Sequence, residues 1–259
     1  MKHAKFNDVY KLVDANMAVL LIGERGSGKT TLGMQIAEKL GLEFASMSMT
    51  RQTTLSHLLG FMNVNGVYIS SQLRDAVEYG KLYLLDEIDA ADCNVILCLN
   101  TIENGYVAFP DKIVKVHENF RLMATSNPQD NHRSYNGRAK LDEATLDRFD
   151  AVDIEIDSML EENIVGSNVY MHMELIRKCL RETNSSTYVS LRDSMRFKKH
   201  KDLELLDGFV ERLLRKDAIA LENYVKAVNT MPKFTCIEDC KSLKDIWDHV
   251  MKQAITTED

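Results

Sequence analysis

Residues 17–22, Met17-Ala18-Val19-Leu20-Leu21-Ile22, run apolar without a break. Such a run predicts a parallel strand covered on both faces. A second apolar run, 82–85, predicts a sister strand ending on Asp86-Glu87, and 120–125 predicts another closing on Ser126-Asn127-Pro128. Residues 42–49 read as a partly buried strand. Residues 151–156 alternate Val152, Ile154 and Ile156 with Asp153 and Glu155, predicting a last strand. Between these lie segments of helical spacing. Phe6, Val9, Tyr10 and Val13 mark a helix within 1–16. Leu32, Ile36, Ala37 and Leu40 mark a helix over 31–40. Shorter helices are predicted over 53–59 and 71–79, and a longer one over 91–103 with Val95, Leu97, Cys98 and Ile102 packing inward. Two hairpins interrupt the alternation: 63–69 around Asn65-Gly66, and 106–109 with 113–116 around Pro110-Asp111-Lys112.

Beyond Asp157 the period changes. Helical spacing continues through 159–254, broken at 183–187 and near Pro232. Leu203, Leu206, Phe209, Val210, Leu213 and Leu214 form one predicted apolar face. Leu221, Tyr224, Val225 and Val228 form another, and Trp247 anchors the last helix. The expected organisation is an α/β domain over 1–157 followed by an all-α lid over 158–259.

A chain of 259 residues can bury a core without disulfides. Its 45% apolar and 27% charged composition is that of a soluble globular protein. The net charge of −7 supplies no global field toward nucleic acid or anionic membrane. Five cysteines, at 93, 98, 179, 236 and 240, are odd in number and lack paired CxxC spacing, which suits reduced thiols in a cytoplasmic protein. No apolar run reaches a membrane span and no secretory signal opens the chain, so no membrane association is expected.

The chemistry concentrates at the ends of the predicted strands. Gly23-Glu24-Arg25-Gly26-Ser27-Gly28-Lys29-Thr30 joins the first strand to the helix that begins with Thr31. Strand, glycine-rich turn and helix are the context of a phosphate-binding loop. The glycines allow backbone N–H groups to turn inward as an anion nest, and the helix adds its positive end. Lys29 is placed for the β- and γ-phosphates of ATP and the Thr30 hydroxyl for Mg²⁺. Asp86 is the second candidate for holding Mg²⁺, and Glu87 the candidate to orient and deprotonate the attacking water. Asn127, at the next strand end, is the candidate to hydrogen-bond both the γ-phosphate and that water; an Asx turn before proline is the alternative.

The order Gly23 to Thr30, Asp86-Glu87, Asn127, Arg148 resembles the AAA+ ATPases, over about residues 10–200. It is similar to their MoxR and dynein-related branch, whose extra hairpins in helix 2 and before sensor 1 fall where 61–70 and 106–116 stand. Ala124-Thr125-Ser126-Asn127, Tyr135-Asn136-Gly137-Arg138 and the 141–149 stretch ending Asp147-Arg148-Phe149 are similar to the ATPase subunit of aerobic cobaltochelatases and its small, often phage-encoded relatives. The resemblance implies a parallel five-stranded sheet flanked by helices. It also implies that Arg148 is an arginine finger entering a neighbouring subunit's ATP site, with Arg138 a second interface arginine. Arg192, at a predicted helix start in the lid, falls at the sensor-2 position. The alternative for Arg192 is a basic face shared with Arg196, Lys198, Lys199 and Lys201.

A finger acting in trans requires assembly, and the expected form is a hexameric ring. The favoured function is Mg²⁺-dependent ATP hydrolysis that remodels a partner protein. The resemblance implies a partner bearing a von Willebrand A-type domain. Two other classes compete. One is a nucleic-acid motor or loader, contacting phosphates through Lys112 and Lys115; the other is a scaffold whose assembly nucleotide controls.

Overall fold

The computed structural model describes residues 1–128, 143–203 and 206–230. The backbone divides into two units, Met1–Glu161 and Glu162–Asp259. In chain order the first holds α1 (Phe6–Asp14), β1 (Val19–Ile22), α2 (Lys29–Leu40), β2 (Phe44–Ser48), α3 (Leu55–Leu59), β3 (Phe61–Met62) and β4 (Tyr68–Ile69). It continues with α4 (Gln72–Tyr79), β5 (Leu82–Asp86), α5 (Cys93–Ile96), β6 (Tyr106–Ala108), β7 (Ile113–Lys115), β8 (Arg121–Ser126), α6 (Glu143–Leu146) and β9 (Asp150–Asp153). Helix α7 (Ser158–Val165) crosses the division. It is followed by α8 (Ser167–Glu182), α9 (Leu191–Asp202), α10 (Leu206–Leu214) and α11 (Ala218–Thr230).

Five strands form one parallel sheet in the order β2-β5-β8-β1-β9. Register aligns Val19 with both Met123 and Asp150, and Leu85 with Ala124. Alternate residues feed two cores, as a pleat with both faces covered requires. Val19, Leu21, Leu84 and Met123 join Phe6, Val9 and Val13 of α1 and Leu32 and Ile36 of α2. Leu20, Tyr83, Leu85 and Ala124 face the other way, toward Leu73 and Val77 of α4. Three carboxyl ends, those of β1, β5 and β8, therefore emerge side by side. That edge is where an open α/β sheet binds its ligand.

Some elements differ from expectation. The helix expected over 91–103 is one α turn, α5, followed by a 3-10 segment, Leu97–Thr101. Asn94, Val95, Ile96, Asn100 and Thr101 are weak helix formers, and local packing decides. Val95, Ile96 and Leu99 still reach the core, while Leu97 is exposed. In the second unit, α8 to α11 bury Met173, Ile176, Leu180, Phe197, Phe209, Leu214 and Tyr224 together. Leu203 and Val225, assigned to apolar faces by spacing, are exposed instead. Trp247, Cys236 and Cys240 lie outside the described residues.

Both hairpins form. Asn63 carries the first turn: its carbonyl accepts from the Gly66 N–H and its side chain from those of Asn65 and Val67. Gly66 takes a φ of 73°, as an Asn-Gly turn demands. One buried cation ties the two hairpins to α4. Arg74 donates to Glu78 at 2.9 Å and to Asp111, in the β6–β7 turn, at 2.9 and 3.4 Å. Its guanidinium also lies 4.6 Å from the Phe109 ring and 5.3 Å from the Tyr68 ring.

Hydrogen bonds from Arg74 hold the Glu78 and Asp111 carboxyls below their ordinary values of 4.5 and 3.8. Depressed carboxyl pKa values contribute stability that is complete above the ordinary values and drains away as pH falls through the folded ones. Arg74→Met is expected to lower stability near neutral pH, because it removes the shared partner of both carboxylates. The gap between variant and wild type should narrow below about pH 4. Urea unfolding from pH 3 to pH 7 measures it, and parallel curves would contradict this account of the clasp.

Candidate functional site

Gly23 leaves β1 with its N–H donated to the Ser126 carbonyl at 3.2 Å. A Cβ there would lie 2.1 Å from the Ile154 carbonyl oxygen, so the close pass of the chain leaving β9 requires glycine. Gly26 and Gly28 adopt left-handed φ values of 76° and 95°. These let the chain curl back before α2 starts at Lys29. Glu24 is half-buried, Arg25 is exposed at the rim, and Thr31 is exposed on the first turn of α2.

Lys29 folds under the loop rather than into solvent. Its Nζ donates to the Gly23 carbonyl at 2.6 Å and the Glu24 carbonyl at 2.9 Å. Burial pulls its pKa down, while the carboxylates of Asp86, Asp89, Glu24 and Glu87 pull it back up. The Ser27 hydroxyl is buried without a hydrogen-bond partner among the described residues. A desolvated ammonium and an orphaned hydroxyl inside a curled loop beside a helix start fit a phosphate chain.

Thr30 and Asp86 approach from different elements. The Thr30 hydroxyl donates to the Asp86 carboxylate at 3.2 Å, with the second oxygen at 3.4 Å. A hydroxyl and one carboxylate suit Mg²⁺, which keeps most of its water and takes its other ligands from phosphate. Among the described residues no cluster of three or more His, Cys, Asp or Glu offers an all-protein metal site. Glu87 follows at a left-handed φ of 59°, turning the chain from β5 into a 3-10 turn, Ile88–Ala90. Asn127 is buried at the end of β8, next to Ser126, whose hydroxyl donates to the Asn127 carbonyl.

Thr125 is a component that motif reading passed over. It is fully buried in β8. Its hydroxyl donates to Asp86 Oδ1 at 2.5 Å and accepts the Glu87 N–H at 2.9 Å. A threonine directly after Leu122-Met123-Ala124 was the available signal, since buried polar groups find partners. Asp89, also buried, is a second addition through its charge beside Lys29.

Arg148 stands elsewhere on the sheet. Arg148 precedes β9 and lies by the amino-terminal edge of the sheet, with Nε 3.6 Å from Glu103. It borders a cavity of about 560 Å³ shared with Ala18, Leu99, Phe120 and Asp150. Asp150 aligns with Val19, whereas Ile154 meets Gly23 at the loop. Four strand steps of ~3.3 Å separate these levels, about 13 Å before counting Phe149. Arg192 is exposed on the first turn of α9 in the second unit, behind a capping box of Ser190 and Asp193. In the basic stretch beside it, Lys198 donates to the Ile164 carbonyl, Lys201 to Asn168, and Arg196 lies 3.8 Å from Asp193. Arg138 lies outside the described residues. Lys112 donates to Glu78 at 3.1 Å, which commits one of the two lysines weighed for nucleic acid. Cys98 and Cys179 are free thiols, each raised to about 11 by burial. No described helix is long and apolar enough to cross a membrane.

A family model described as an AAA domain of the dynein-related subfamily matches residues 18–149, just over half of the chain. Midasin of Giardia intestinalis is 28% identical over 177 residues, 64% of this chain and 4% of midasin's length. The chain thus spans a small fraction of that relative. An uncharacterised protein of Staphylococcus aureus is 27% identical over 187 residues, 64% of this chain and 68% of its own. Among solved structures, a Cytophaga hutchinsonii protein provisionally named an ATPase superposes with a TM-score of 0.46 at 16% identity. That superposition covers 97% of this chain and 90% of the other.

Proposed function

The chain belongs to the dynein-related subfamily of AAA domains, and from that premise we propose that it hydrolyses ATP at the Gly23–Thr30 loop within a ring-shaped oligomer. The convergence of Thr30 and Asp86 beneath a loop threaded by Lys29 carries the reading. Loop amides, Lys29 and the Ser27 hydroxyl bind the phosphates. Thr30 and Asp86 would hold Mg²⁺, which would supply charge neutralisation to the phosphates. Asn127 orients the attacking water, and the Glu87 carboxylate takes its proton as the water oxygen bonds to the γ-phosphorus and ADP departs. Arg148, too far along the sheet to serve its own loop, neutralises charge at a neighbour's site. Arg192 senses the γ-phosphate from the helical unit.

In this reading the oligomer is a hexamer in the cytoplasm, and turnover moves the helical unit, the lid, to remodel a partner protein, as in MoxR-type motors. A partner with a von Willebrand A-type domain suits the resemblance to cobaltochelatase and MoxR ATPases. The acidic net charge and the engagement of Lys112 by Glu78 weigh against a nucleic-acid motor.

Phosphate release per subunit, measured with Mg²⁺-ATP over a range of protein concentrations, tests the reading. It is expected to rise steeply with concentration, to vanish in EDTA and to ignore added DNA. Full turnover in dilute monomer would contradict the shared site, and strong DNA stimulation would favour the motor.

A further inference from the structure

We propose that Thr125 is a positioning residue for both halves of the hydrolytic apparatus, an inference that rests on the ATPase reading above. A single hydroxyl does two jobs. Its proton goes to Asp86 Oδ1 at 2.5 Å, and its lone pair accepts the Glu87 N–H at 2.9 Å. The first bond fixes the rotation of the Asp86 carboxylate, so that the shorter approach of Thr30 falls on the other oxygen, Oδ2. The second holds the backbone at the one residue of this turn that adopts a left-handed φ without being glycine. That conformation is disfavoured for a side chain such as glutamate and persists where the surroundings over-determine it.

The location makes the bridge rigid. Thr125 is fully buried, its strand is paired on both sides by β5 and β1, and Asn127 follows two residues later. The metal-side carboxylate, the general base and the water-orienting amide are therefore referred to one strand. The hydroxyl aligns them with each other and touches none of the reacting atoms. Partners of metal-binding carboxylates typically contribute 10–100-fold to metal affinity or activity.

Valine keeps the shape and strand preference of threonine and removes only the hydroxyl. Two readouts separate positioning from simple stability: the thermal shift given by ADP in EDTA, and the further shift on titrating Mg²⁺. Thr125→Val is expected to keep the metal-free ADP shift and to need at least about tenfold more Mg²⁺ for the further one. Phosphate release at saturating ATP should fall about 10–100-fold with little change in KM. Thr125→Ser, which restores the hydroxyl, should return both quantities most of the way. Where valine prevents folding, Thr125→Ala serves with the same expected shifts.

Wild-type Mg²⁺ dependence and turnover in Thr125→Val, beside an inactive Glu87→Gln, would overturn the inference alone. Equal loss of the metal-free and Mg²⁺-dependent shifts, with a lowered melting temperature, would overturn it as well, because that is what a purely structural threonine gives. A Glu87→Gln variant as active as wild type would instead remove the hydrolysis reading on which it stands.

Discussion

Glu87→Gln is expected to slow phosphate release by about 10²–10⁴-fold while leaving Mg²⁺-ATP binding within a few-fold of wild type. Glutamine fills the same space and still accepts a hydrogen bond, so water can be placed but its proton has no destination. Binding should survive because the proposed mechanism assigns the phosphates to Lys29 and the loop, and the metal to Thr30 and Asp86, none of which the substitution alters. The backbone at residue 87 is held through its N–H by Thr125, which the substitution does not touch. Single-turnover hydrolysis and displacement of a fluorescent ADP analogue measure the two quantities separately. Hydrolysis at the wild-type rate would exclude Glu87 as the base, and loss of nucleotide affinity would assign it to binding.

Arg148→Ala should be as severe, lowering turnover by ~10³–10⁵, or roughly 4–7 kcal/mol of transition-state stabilisation. The 3.6 Å ion pair with an exposed Glu103 that the substitution removes should matter little to folding. Pairs of that kind contribute about 1 kcal/mol or less. Arg148 lies two residues before β9 and the loop follows the end of β1, so the two belong to opposite edges of one parallel sheet. In the proposed ring, an arginine in that place serves a neighbour. A variant with normal turnover and normal stability would reduce Arg148 to a surface residue.

The parts of the fold legible in the sequence were those where one physical requirement dominates. Continuous apolar runs such as 17–22 admit little except a doubly covered strand, and β1 and β5 lie where such runs stood. The loop was legible because phosphate binding needs glycine, lysine and hydroxyl at fixed spacing. Legibility failed where alternatives lie close in energy. The 91–103 segment has helical spacing but residues indifferent to helix, and it folded into one α turn and a 3-10 stretch. Leu203 and Val225 follow a period that extends past what the second core buries. Arg74 was overlooked because, beyond its helical neighbour Glu78, its value depends on Asp111, 37 residues away, which no local pattern joins to it. Thr125 escaped for a related reason: in sequence it is one polar residue in a strand, and only the pairing of β8 with β5 brings Asp86 and Glu87 to it.

The most direct measurement mixes two inactive proteins. Glu87→Gln subunits retain a competent finger, and Arg148→Ala subunits retain a competent site. Where they alternate across a heterologous interface, one seam in each pairing holds both intact groups. Equal mixing should restore roughly one interface in four to wild-type turnover, under conditions where neither variant alone releases phosphate. A mixture as inactive as its components would contradict a catalytic site shared between two copies of the chain.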